Sequence, residues 1–103
     1  MAVIFHVLKE EFERLQGAER AYTQAIAEMP RGTPRLFKRR NTQYLYLQYR
    51  EGKKVIQKYI GPHGSDTARV VLEKIEKRKR FENLLKETKD ALKEVRKALR
   101  GKV

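Results

Sequence analysis

Residues 44–61 read YLYLQYREGKKVIQKYIG, and in this stretch four tyrosines and four basic residues share the chain with a single acid, Glu51. The chemistry open to such a mixture is non-covalent. Lysine and arginine neutralise phosphates and release counterions, which gives affinity without sequence preference. An exposed tyrosine ring can stack on an unpaired base. The candidate phosphate contacts are Arg31, Arg35, Lys38, Arg39, Arg40, Arg50, Lys53, Lys54 and Lys58. Tyr44 and Tyr46 are the candidate stacking rings. Asn41 and Gln48, with Gln43 and Gln57, carry amides that can reach base edges if they point outward. His63 follows the same stretch, in the turn beside Gly61, Pro62 and Gly64, and reads either as a phosphate contact or as a plain loop residue. Farther on, Lys77-Arg78-Lys79-Arg80 forms a complete basic helical turn, with Lys77 and Arg78 the first candidates; a solvated turn accounts for this run equally well.

Catalytic groups are not evident. His6 lies in an apolar run and reads as a packed residue. No cysteine is present, and two histidines without a carboxylate at ligand spacing make no recognisable metal site. Glu10, Glu11 and Glu13 read as one solvated helix face rather than an acid–base pair. No Gly-rich phosphate loop and no nucleophile–base pattern appears. The chain is therefore expected to be non-enzymatic, with no cofactor and no metal.

The charge distribution supports a binding role. The 103 residues carry a net charge of +12. Residues 1–30 carry a net of −2, residues 31–62 a net of +8 with Glu51 their one acid, and residues 63–103 a net of +6. Mixed signs would serve solubility, whereas an uncompensated middle third needs a further reason. Nucleic acid, an acidic protein and an anionic membrane are the partner classes such charge admits. A membrane is least favoured, because no exposed Trp, Phe and Leu face accompanies the charge. The apolar start MAVIFHVL is short, has no basic region before it and runs into acids from Glu10, so neither a signal peptide nor a membrane span is expected. The absence of cysteine fits a reducing cytoplasm, the expected location.

The elements that must position these residues follow from periodicity. Leu8, Leu15, Tyr22 and Met29 fall seven apart, and Phe5, Phe12 and Ile26 keep the same spacing, so residues 1–30 predict a helix with one apolar stripe. Gly17 weakens it and allows a bend. Pro30, Gly32 and Pro34 end it. Residues 31–62 predict a basic three-stranded antiparallel meander: 35–39, 43–50 and 54–60, with turns at Arg40-Asn41-Thr42 and around Gly52. The second turn allows two registers. A two-residue turn at Glu51-Gly52 sets Leu47 opposite Ile56, and a three-residue loop sets it opposite Val55. A one-residue slip exchanges the faces of a strand. The reading adopted turns Leu45, Leu47 and Tyr49 inward and leaves Tyr44 and Tyr46 on the open face. Residues 63–103 predict a long charged helix capped by Ser65 or Asp66. Its seam of Phe81, Leu85, Thr88, Leu92, Val95 and Leu99 has heptad spacing. That helix needs a partner: the first helix, a second copy of the chain, or both.

Pro30-Arg31-Gly32-Thr33, then Tyr44 to Val55, then Lys58-Tyr59-Ile60-Gly61 resemble a family of small prokaryotic proteins of unknown function. Its pattern is P-x-G-[ST], a basic strand, Y-x-Y-x-x-Y-R-E-G-x-K-V and K-Y-I-G before a charged helix. Similar modules stand beside nucleotidyltransferase-like domains, and a related hairpin opens some insertion-sequence transposases. The resemblance spans about residues 30–80 and leaves out the N-terminal helix. It implies a mobile-element, toxin–antitoxin or defence setting and contact with DNA or RNA, and it supplies no catalytic residue.

The expectation is thus an α+β single domain over 1–103, with two helices that pair and a basic meander between them in sequence. Its expected role is a nucleic-acid-binding module, DNA or RNA. The other reading is an antitoxin-like accessory subunit that holds an acidic protein through the long helix and the sheet. The seam at 81–99 can also make a homodimer.

Overall fold

The computed structural model describes residues 2–101. Along the chain come α1 (Ala2–Ala27), β1 (Thr33–Arg39), β2 (Thr42–Glu51), β3 (Lys54–Pro62) and α2 (Asp66–Arg100). The class is α+β, as the periodicities predict. The chain divides into two compact units, one formed by α1 with α2 from Arg78 onward, the other by residues 29–77.

In the helical unit, α1 is continuous through Gly17 and stops at Ala27, shortly before Pro30, whose ring cannot continue a helix. The α2 seam turns inward as its heptad spacing demands. Leu92 and Thr88 of α2 are buried, as is Leu15 of α1. Tyr22 and Phe81 rings lie 5.8 Å apart, and Arg96 sits over the Phe12 ring at 5.5 Å. Moving up α1 from 12 to 22 therefore means moving down α2 from 96 to 81, so the two helices pair antiparallel within one chain. Thr88 is the polar member of the seam. Its hydroxyl donates to the Leu84 carbonyl at 2.8 Å, so its burial leaves no orphan group.

In the other unit, the strands form one antiparallel sheet in the order β1-β2-β3, with β2 central. Its buried residues include Leu45, Leu47, Ala68 and Ile75. The α2 N-terminus is capped by Ser65, whose Oγ accepts from the Ala68 N–H at 3.2 Å.

Both hairpin loops have two residues. Arg39 pairs with Thr42 across Arg40-Asn41, and Glu51 pairs with Lys54 across Gly52-Lys53. The second loop corrects both registers expected from sequence: Leu47 lies opposite Lys58, not Ile56 or Val55. The reason is the place of the glycine. A positive φ is wanted at the first loop position of a type II′ turn, and Gly52, at φ +62, takes that place rather than the second or third. Near the other end of β3, Tyr46 faces Tyr59 but Leu45 faces Gly61, so Ile60 is the extra residue of a β-bulge.

Candidate nucleic-acid interface

Strand alternation sorts the middle third into two chemically different faces. On one face stand Leu45 and Leu47, at 0% and 3% exposure, with Tyr49. On the other stand Tyr44, Tyr46, Gln48 and Arg50 of β2. Cross-strand pairing adds Arg35 and Phe37 of β1, opposite Tyr46 and Tyr44, and Tyr59 and Gln57 of β3, opposite Tyr46 and Gln48.

The rings on this second face touch. Phe37 meets Tyr46 edge-on at 5.2 Å and 82°, and Tyr59 meets Tyr46 at 5.3 Å and 63°. Tyr44 reaches Tyr59 at 6.2 Å. Tyr46 is thus flanked from both edge strands by steeply inclined rings. Phe37 and Tyr59 are 43% and 52% exposed, so the cluster faces solvent rather than a core. An open depression of about 620 Å³ lies over it, lined by these four rings, Gln57, Lys38 and Arg39. The Gln57 amide donates to Gln48 Oε1 at 3.3 Å beside it.

The charges on this face have one sign. Arg35, Arg39 and Arg50 share the parity of the rings, whereas Glu51, the one acid of residues 31–62, falls on the Leu45 face. The remaining candidates divide as follows. Lys38 belongs by alternation to the Leu45 face and still reaches the rim of the depression. Lys54 and Lys58 lie on that opposite face too, exposed. Arg40 and Asn41 form the β1–β2 turn and Lys53 the β2–β3 turn, at opposite ends of the sheet. With β2 ten residues long, the ends are about 30 Å apart. His63 is exposed beyond β3, its N–H donating to the Gln43 carbonyl at 2.8 Å.

Two candidates have other work. Arg31 donates from Nη2 to the Arg50 carbonyl at 2.6 Å, and its guanidinium lies 4.6 Å from the Tyr49 ring centre. It clamps the loop before β1 onto the Leu45 side of β2 rather than standing free for a phosphate. Arg78 has a side chain only 14% exposed, 3.5 Å from the Glu82 carboxylate. Its charge is met inside the helical unit, while Lys77 is exposed.

Phe37 and Tyr59 are site residues that sequence reasoning left out, whereas Gln57, an expected base-edge amide, does stand on this face. The signal was present: once the loop is set at Gly52-Lys53, pairing alone puts Tyr59 opposite Tyr46 and Gln57 opposite Gln48.

Comparison with known families places the whole sheet in one of them, since residues 8–70 match DUF6788, a domain of unknown function. The chain belongs to the DUF6788 family. The DUF6788 match takes in most of α1, the three strands and both turns, so the aromatic face lies inside the family's domain, while α2 beyond Val70 lies outside the matched stretch. No curated protein matches this DUF6788 chain, and no solved structure does.

Among the described residues no group of three or more His, Cys, Asp and Glu is placed to hold a metal, and no helix is long and apolar enough to cross a membrane.

Proposed function

We propose that this DUF6788 chain is a nucleic-acid-binding module and that the Tyr46 face of its sheet is the contact surface. The observation that carries the reading is the coincidence, on one face, of four touching rings with Arg35 and Arg39 and no carboxylate. A face that was only solvated would mix charge signs, and a face that was only packed would bury its rings. Arginine beside exposed rings matches a ligand that is anionic along its backbone and aromatic along its bases. Arg40 and Lys38 extend the positive rim at the β1–β2 end. The mobile-element, toxin–antitoxin or defence setting implied by the family resemblance accords with such a module.

A second reading draws on a different place. Val3, Ile4, Phe5 and Val7 of α1 are 76%, 43%, 41% and 58% exposed, an apolar patch of the kind that protein partners cover. A protein-interaction subunit would use that patch, and charge on the sheet would then serve an acidic partner.

The test is binding of the nuclease-treated protein to labelled duplex DNA, single-stranded DNA and RNA over a range of salt. Replacing Arg35, Arg39 and Arg40 together with Ala should weaken binding and flatten the slope of log affinity against log salt by about 2. Unchanged affinity and slope would remove the sheet as the contact surface.

A further inference from the structure

We propose that the depression over Tyr46 is a slot for an unpaired nucleobase, so that the ligand of this face is single-stranded nucleic acid and not duplex. The inference rests on the nucleic-acid reading and deepens it. It begins from ring geometry. A flat stacking platform would have its rings nearly coplanar. Here Phe37 stands at 82° and Tyr59 at 63° to Tyr46, one on each side. These steeply set rings are open to solvent, and with Tyr44, Gln57, Lys38 and Arg39 they line a depression of about 620 Å³. Such a shape takes a flat aromatic guest by its face and rim. A base inside a duplex has both faces covered by its neighbours, so it offers no free face to a slot. Extracting it costs a few kcal/mol of lost stacking and pairing, a cost that a single strand has already met.

Charge then decides between guests. Steeply inclined rings around an open depression can also cage a quaternary ammonium cation, which the ring faces attract. That guest needs a neutral or acidic mouth. This mouth carries Lys38 and Arg39, with Arg35 on the same face and no acid of residues 31–62 sharing it. Cations are repelled, and a base whose flanking phosphates meet those side chains is favoured. Beside the rings, Gln57 donates one N–H to Gln48 Oε1. The Gln57 carbonyl and the Gln48 amino group retain capacity for a base edge, because each amide offers both donors and acceptors. Phosphate contact, ring contact and edge contact thus converge on one short segment of strand. RNA and DNA share this chemistry, and the arms of the test separate them.

The experiment measures affinity of the full chain, at one fixed salt, for a fluorescent single-stranded DNA oligonucleotide, its RNA counterpart and the matching DNA duplex. Five proteins are compared: the parent, Phe37→Ala, Tyr59→Ala, Tyr59→Phe and the triple variant with Arg35, Arg39 and Arg40 replaced by Ala. Phe37 and Tyr59 are exposed on edge strands, so their removal leaves the buried residues in place, and circular dichroism checks the fold of each. The parent should bind at least one single strand about 10-fold or more tightly than the duplex. Each Ala variant should lose about 10-fold or more on that strand, with duplex affinity and salt slope unchanged, and Tyr59→Phe should retain binding. Equal binding of strand and duplex, with both Ala variants unaffected but the triple Arg→Ala variant weakened, would overturn the slot and leave the nucleic-acid reading standing. Insensitivity to the arginines and the rings alike would overturn both.

Discussion

The two hairpin turns of the sheet pose the same backbone problem and meet it with different residues. Gly52 opens one turn at φ +62, and Arg40 opens the other at φ +58; the residues that follow, Lys53 and Asn41, are not at positive φ. Among the described residues Arg40 is the one non-glycine at positive φ. A side chain there crowds the backbone and costs about 1–2 kcal/mol. Glycine at the same place would avoid that crowding but lose about 0.5–1 kcal/mol more chain entropy on folding. Arg40→Gly should therefore stabilise the protein by roughly 0.5–1 kcal/mol. For a chain of this size that is a rise of roughly 2–8 °C in Tm, read by differential scanning calorimetry. A strained residue that persists points to function, and under the proposed nucleic-acid reading Arg40, at the end of the basic rim, serves as a phosphate contact. The same variant should thus bind nucleic acid more weakly and lose about 0.7–0.9 from its salt slope. Higher stability with weaker binding is the predicted pair. A lower Tm would refute the strain argument, and a higher Tm with unaltered binding would refute the role given to Arg40.

Other substitutions probe the frame that holds the face. Gly32 sits at φ +107, and a Cβ there would lie 2.9 Å from the Gln48 carbonyl oxygen, so Gly32→Ala should destabilise by about 1–3 kcal/mol in urea unfolding. Thr88→Val should be neutral or stabilise by up to about 1 kcal/mol, because the Leu84 carbonyl that accepts from the Thr88 hydroxyl also belongs to the helix ladder. On α1, the hydrogen bond from Arg14 holds the Glu11 carboxyl below its ordinary value. Any stability from this pair is present above the ordinary carboxylate range and lost as pH falls through the lowered value. Both side chains remain largely open to solvent, which screens the pair. NMR titration should show the Glu11 midpoint rising on Arg14→Ala, with little change in the pH dependence of Tm.

The order of elements was legible because each relies on local chemistry. The apolar stripe of α1, the heptad seam of α2, Pro30 and the glycine turns read directly as helix, sheet and helix. The inward placing of Leu45 and Leu47, and the open placing of Tyr44 and Tyr46, also follows from alternation. Register was harder. It depends on which loop position Gly52 occupies, and a sequence admits several. The bulge at Ile60 has no local marker, since it arises from the pairing of β2 with β3. Arg31 and Arg78 count simply as charge in the sequence. Only their surroundings, the Tyr49 ring with the Arg50 carbonyl and the Glu82 carboxylate, show that their charges are already engaged. The site itself was half legible: its charge was visible in the composition, while Phe37 and Tyr59 joined it through cross-strand partners 7 and 13 residues away in sequence.

The five tyrosines of the chain provide a direct test of the claim that the Tyr46 face binds nucleic acid. Tyr44, Tyr46 and Tyr59 belong to that face, Tyr49 lies on the opposite face of the sheet, and Tyr22 lies on α1. With tyrosine rings isotopically labelled, NMR spectra recorded as a single-stranded oligonucleotide is added report on all five at once. The account predicts shifts at Tyr44, Tyr46 and Tyr59, with Tyr22 and Tyr49 unmoved. Shifts at Tyr22 or Tyr49 with the other three unmoved, or saturation of the protein with no ring shifted, would contradict it.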